Sequence, residues 1–306
     1  MTGAERAQVR MLPDGLRLHL QDGPIDLIVE AVGAPDAVAA AYRAAAARFL
    51  FVLDELCREL TELRAPATPV ARPFRGAVAR RMEAAVTQHA GGVFITPMAA
   101  VAGALADEIL AAIRGAAGED LARISVNNGG DIALWLASGH ATTVGLVNKP
   151  DRPALFARAR LVAADGIGGI ATSGAPGRSF SLGIADAVTI LASCAAEADA
   201  AATVVANAVD LPGDARVERR RARSLQPDSD LGDLLVTRGV APLDPASIAI
   251  ALDRGLAAAR GLIAREAIAA AALHLQGVTR TASRDGRLMA LETPQARSIL
   301  TEPIDA

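Results

Sequence analysis

An α+β fold, with mixed or antiparallel sheets packed by helices, is what this 306-residue sequence predicts on three observations. The first 33 residues alternate apolar and polar side chains around the turn P-D-G, the pattern of paired strands. Residues 36–64 then change to helical spacing, with Phe49, Leu50, Leu53, Leu56, Cys57 and Leu60 recurring every three or four positions. Helices and short strands alternate afterwards without a repeat of roughly 20–50 residues, which speaks against a solenoid. A hydrophobic content of 52% with 21% charged residues suffices to bury a large core.

Taken in order, V-R-M-L-P and L-R-L-H-L flank P-D-G, and Q-D-G-P leads into I-D-L-I-V-E-A-V, an antiparallel start. The connector R-A-P-A-T-P-V-A-R-P stops the first helix, because each proline lacks a donor and disfavours helical geometry before it. It separates a strand–helix unit, residues 1–64, from residues 74–306, which carry the motifs and a helix–strand tail. Helices are predicted over residues 76–89 and 97–114, the second with a proline in its first turn. Strands follow over 122–126, 132–136, 142–147 and 158–163, with the breaker N-K-P-D-R-P between the last two. After a glycine run come two predicted strands, S-F-S-L-G-I-A and A-V-T-I-L-A, and an Ala-rich helix over 195–209. The segment V-E-R-R-R-A-R-S, five arginines counting Arg216, reads as a solvated connector that could also meet phosphates. A helix over 245–265 and strands over 271–276 and 287–291 complete the chain.

A net charge of -3 excludes a basic nucleic-acid footprint. Cys57 and Cys194 form neither a disulfide framework nor a zinc knuckle, and the N-terminus lacks the apolar core of an export signal, so a reducing cytoplasm is expected. Asp107 and Glu108 interrupt one apolar stretch, and Glu197 and Asp199 another, so no membrane span is expected. His19, His89, His140 and His274 occupy four separate segments and suggest no cluster. Ser173 lies outside a G-x-S-x-G elbow.

Three stretches carry the candidate chemistry. N-N-G-G-D, residues 127–131, is a hairpin signal, yet its bare glycines beside two amides and a carboxylate also suit close approach of a ligand. The run 166–177 has G-x-G-x-x-A spacing, but Pro176 and Gly177 follow where a dinucleotide fold needs a helix. What remains is a loop of free N–H groups with Thr172, Ser173, Arg178 and Ser179, all suited to phosphate oxygens. Asp199 and Thr203 lie one helical turn apart on one face, two hard oxygens that suit Mg2+ or form an ordinary polar stripe with Asn207.

In order, P-M-A-A-V-A-G-A-L-A-D, V-N-N-G-G-D-I, G-I-A-T-S-G, A-D-A-V-T-I-L-A and E-A-D-A-A-A-T resemble the ApbE superfamily of flavin transferases, collinearly from about residue 97 to 210. The likeness is greatest to a smaller cytoplasmic branch of ApbE-like proteins. It implies a single domain of two interlocked subdomains. It further implies FAD bound with Mg2+ at its diphosphate, and passage of the FMN half to a threonine or serine of an acceptor protein. Asp199 and Thr203 match the metal-binding pair, and Gly103 and Asp107 the glycine and aspartate of the helix whose backbone helps hold that metal. Asn128, Gly129, Gly130 and Asp131 fall on one nucleotide-site loop, Thr172, Ser173 and Gly174 on another, with Met98, Ala99, Arg178, Ser179 and Asp186 beside them. The chain departs from the transferases at Ala102, where they carry lysine. It also lacks their H-x-x-D-P-x-T-G segment, keeping only Asp186. A phosphorylated cofactor is thus the implied ligand, with FMN transfer or FAD cleavage as its chemistry. A non-catalytic flavin carrier and a biosynthetic enzyme acting on another phosphorylated cofactor are the alternatives.

Overall fold

The computed structural model describes residues 6–117, 120–147, 155–177, 179–284 and 290–291. Strands β1 (Gln8–Met11), β2 (Arg17–Asp22) and β3 (Ile25–Gly33) form the antiparallel meander that the turn residues foretell. Helix α1 (Pro35–Arg58) starts on a proline, whose missing N–H costs nothing in a first turn. It buries Ala37, Ala41, Ala45, Phe49, Val52 and Leu56 along one stripe. A single turn, Leu60–Leu63, and the proline connector lead to α2 (Ala77–Thr87). A 3-10 turn, Pro97–Ala100, then opens α3 (Val101–Ala117).

Strands β4 (Leu121–Asn128) and β5 (Asp131–Leu136) make a hairpin. Next come β6 (Ala141–Val147), β7 (Leu155–Val162), β8 (Gly169–Ser173) and β9 (Ala187–Ala192), followed by α4 (Ala195–Ala208). The tail holds β10 (Val217–Arg221), β11 (Leu235–Val240), α5 (Pro245–Ala264), β12 (Ala270–Leu275), β13 (Val278–Ser283) and β14 (Ala290–Leu291). Nine strands pair in the order β1-β2-β3-β4-β5-β8-β9-β12-β13, every pair antiparallel. Sheets β14-β7-β6 and β10-β11 are separate.

Period-two alternation places the layers. In β5, Ala133 and Trp135 join the core under the helices, whereas Ile132, Leu134 and Leu136 join Ala159 and Leu161 of β7 on the opposite face. The central strands are therefore covered twice, which is why β9 and β12 are buried along their whole length. On the helical side, one core gathers around Phe49, Met82 and Ile109, and another around Ile190, Leu252 and Leu273. Helix α4 serves both, giving Ala195, Ala196 and Ala200 to the first and Ala198, Ala201, Ala202 and Val205 to the second. Alanines suit this place, because they let neighbours approach on all sides.

Three local expectations are corrected. The glycine run is not all loop: residues 169–173 form a central strand, paired with both β5 and β9. Gly169 is needed for contact, since a Cβ there would lie 2.0 Å from the Cys194 carbonyl oxygen. Among the described residues, S-F-S-L-G-I-A makes no strand, because its backbone bonds go elsewhere. The Leu182 N–H donates to Asn207 Oδ1, the Ile184 N–H to the Val209 carbonyl, and the Ser181 carbonyl accepts from the Thr237 N–H. The arginine-rich segment is a strand, not a free connector. Arg216 pairs with Asp214 and Asp244, Arg219 with Asp210, Arg220 with Glu218, and Arg221 and Arg223 with Asp233. Strands β11 and β13 were not foreseen, and most of the stretch 287–291 lies outside the described residues.

Candidate functional site

Helices α3 and α4 cross so closely that a Cβ on Gly103 would stand 2.2 Å from the Ala195 carbonyl oxygen. Reciprocal carboxylate bonds lock the crossing. From α3, Asp107 accepts the Ala195 N–H through Oδ1 at 3.0 Å and the Ala196 N–H through Oδ2 at 2.8 Å. It thereby caps α4, whose own N-cap residue, Cys194, makes no side-chain cap bond. From α4, Asp199 Oδ2 accepts the Gly103 N–H at 3.0 Å. Each helix holds the other by a charge on a backbone amide.

The β4–β5 turn is bonded to the same crossing. Asn128 and Asp131 are opposed in the ladder, with Gly129 and Gly130 as a two-residue loop at φ of 66° and 116°. Positive φ at both positions is why two glycines stand here. Asn127, which sequence reasoning left without a role of its own, shapes the turn by accepting the Gly130 N–H through Oδ1 at 2.8 Å. The cue was present as an asparagine three residues before a glycine. Asn128 Nδ2 donates to the Ala102 carbonyl of α3 at 3.2 Å, tying turn to helix. Asp131 Oδ1 accepts the Thr172 N–H at 3.1 Å, tying turn to β8.

Three carboxyls thus share one electrostatic neighbourhood. Asp131 and Asp199 keep partly accessible side chains, yet protein surrounds them closely enough to desolvate both. Burial pushes the Asp131 carboxyl up to about 7, against the Thr172 N–H, which pulls it down. Asp199 is raised well above the ordinary range, first by burial and then by the charge of Asp131, against the Gly103 and Ala102 backbone. Asp107 is raised by burial despite its two amide bonds, and the Cys194 thiol beside it is pushed up to about 12, again mainly by burial. Among the described residues no cation forms an ion pair with Asp131, Asp199 or Asp107. A carboxyl that titrates near neutrality can give or take a proton.

Other candidates lie at different distances from this centre. Met98 and Ala99 stand in the turn that opens α3 and pack partly buried on the first core. The side chain of Ser173 projects to the helical face, because that of its neighbour Ala171 does and residues two apart share a face. Thr172 is turned the other way, its hydroxyl 2.8 Å from that of Thr189. Gly174 lies against Asp186, since a Cβ added at Gly174 would stand 2.4 Å from the Asp186 carbonyl oxygen. Asp186 Oδ2 accepts the Gln276 N–H at 2.6 Å, so this carboxylate fastens the β12–β13 turn. Ser179 is exposed, Thr203 is partly buried one turn beyond Asp199, and Arg178 lies outside the described residues. No described helix is long and apolar enough to cross a membrane.

Comparison with known proteins adds relatives to this geometry. A family model described as AbpE bacteria matches residues 9–281. A UPF0280 protein of Methanopyrus kandleri is 39% identical over 113 residues, 37% of this chain and 43% of that protein. One from Methanosphaerula palustris is 37% identical over 155 residues, 47% of this chain and 56% of that protein. The matched part of the chain spans about half the length of these curated relatives. Among solved structures, the flavin transferase ApbE from Vibrio cholerae aligns with 90% of this chain and 97% of its own, at a TM-score of 0.38 and 14% identity.

Proposed function

The chain belongs to the AbpE bacteria family, within the ApbE-like superfamily, and on that premise we propose that it binds a flavin nucleotide together with Mg2+ in the recess between α3, α4 and the β4–β5 turn. The chemistry proposed there is transfer of the FMN half or cleavage of the FAD diphosphate, in a cytoplasmic protein. A single observation carries the reading: the desolvated carboxyls of Asp131 and Asp199 are brought within reach of each other's charge where α3, α4 and the β4–β5 turn meet, and no described cation pairs with them. Two such charges are costly unless a cation or a proton compensates them.

The donor set fits Mg2+. Among the described residues no cage of three or more His, Cys, Asp or Glu side chains is built, whereas Mg2+ takes one or two protein oxygens and leaves its other positions to water and phosphate. Asp199, held by the Gly103 N–H, and Thr203, one turn on, would supply those oxygens. When bound, the ion supplies charge neutralisation and Lewis acidity at a phosphoryl oxygen. The remaining work belongs to the chain. Gly129 and Gly130 leave bare backbone for a phosphate to approach, Asn128 keeps the turn on α3, and Met98 and Ala99 wall the recess. Ser173, Gly174 and Ser179 would border the nucleotide on the far side, beside Asp186, whose carboxylate fastens the β12–β13 turn. A protein acceptor hydroxyl would enter from the open side of the turn.

Thermal shift and calorimetry with FAD and FMN, each with and without Mg2+, test this. Mg2+-dependent stabilisation that Asp199→Ala abolishes is the expected result, and no stabilisation by either flavin removes flavin from the reading. Product analysis decides the chemistry. FMN or AMP released from FAD supports turnover, and tight binding without either product makes the protein a flavin carrier. The absence of the H-x-x-D-P-x-T-G segment favours that second outcome. Stabilisation by another phosphorylated cofactor alone would point to a biosynthetic enzyme.

A further inference from the structure

A groove of about 780 Å3 lies between the C-terminal part of α1, the connector and the start of α2. The carboxylates described above do not line it. We propose that this groove binds a multivalent phosphate anion through Arg58, Arg75 and Arg80.

Several charges around the groove are already compensated. Arg48 donates through Nη1 and Nη2 to Glu55, at 3.0 and 2.6 Å, and through Nε to Glu108 at 2.8 Å. Arg72 is held by Glu83, with its guanidinium 5.4 Å from the centre of the Phe74 ring. Glu59 accepts the Arg75 and Gly76 N–H groups at 2.7 and 2.8 Å, which holds its carboxylate at the start of α2 without cancelling its charge. Subtracting the two ion pairs leaves Arg58, Arg75 and Arg80, all exposed on the groove and without a carboxylate partner among the described residues, against two acids, Glu59 and Glu62. Arg80 Nη1 donates to the Arg75 carbonyl, which holds its head beside Arg75 on the groove.

Such an excess of positive charge is local, in a chain whose net charge is -3. Guanidinium groups offer planar forks of donors that match phosphate oxygens in pairs. The volume is in the usual range of small-molecule sites, roughly 300–1,000 Å3. A single carboxylate would engage one such fork, and three forks call for a ligand with several charged oxygens.

Calorimetry with inorganic pyrophosphate, in EDTA and about 50 mM salt, tests the proposal on the full chain. The wild type should bind at one site, weakening as salt is raised. R75A/R80A should bind at least tenfold more weakly with an unchanged melting temperature, since both side chains are exposed. Asp199→Ala should leave pyrophosphate binding intact, which separates this groove from the flavin reading. No heat with the wild type overturns the proposal. Equal affinity in R75A/R80A overturns it too, as does loss of binding in Asp199→Ala, which would move the anion to the carboxylate recess. Preference for a polyglutamate peptide over pyrophosphate would reassign the groove to an acidic protein segment.

Discussion

At the scale of single residues, two carboxyls carry opposite duties. Asp107 is a fastener: with Asp107→Ala, two N–H groups at the start of α4 lose their acceptor in a buried place. A loss of about 2 kcal/mol is expected in urea unfolding, and a change under about 0.5 kcal/mol would show that water replaces the cap. Asp131 instead destabilises when ionised. Its folded carboxyl titrates at about 7 against 3.8 for the free group, so between those values the folded chain holds more protons than the unfolded one. Stability contributed by Asp131 therefore falls as pH rises through that window, by up to ~1.4 kcal/mol per pH unit. Asp131→Asn keeps an oxygen for the Thr172 N–H but removes the ionisation, so its urea midpoints should fall less from pH 4 to pH 8. Parallel curves for the two proteins would rule out the desolvated carboxyl.

At the scale of elements, helix crossing decides whether Asp199 meets the Gly103 amide. Gly103→Ala puts a methyl 2.2 Å from a backbone oxygen of α4, and backbone does not swing aside as a side-chain end does. Strain of about 1–3 kcal/mol is expected, together with loss of any Mg2+-dependent thermal shift, because Asp199 would no longer meet the Gly103 amide. Retention of that shift would detach the metal reading from the crossing. The same elements show why some of the chain was legible and some was not. Helices α1, α3, α4 and α5 are long and periodic, so their side-chain spacing announces them. Strand β8 is five residues long and begins on glycine, and nothing local distinguishes a glycine that permits contact from one that permits a turn. Strand β10 carries four charged residues in five: only Val217 joins a core, while Arg219 and Arg221 meet carboxylates from other segments and Arg220 meets Glu218 within the strand.

At the scale of the whole molecule, α4 stands in both helical cores, so the two halves should not unfold apart. Leu273→Ala, deep in the second core, is expected to cost about 2–5 kcal/mol. It should shift the fluorescence of Trp135, which packs on the first core, together with far-UV circular dichroism. Two separated transitions would show that α4 does not couple the halves. The N-N-G-G-D hairpin, the i, i+4 pair Asp199–Thr203 and the opening meander could all be read directly, because each depends on neighbours within a few residues. That Asn128 meets Ala102, that Asp107 caps a helix 88 residues away, and that Asp131 raises Asp199 could not. By itself the sequence determined the helices, the turns and the motif order that marks the family, all set by local backbone preference and side-chain period. Only the tertiary structure decided which carboxyls share an electrostatic neighbourhood and which arginines keep a free charge, because pairing and desolvation depend on groups that the chain brings together from afar.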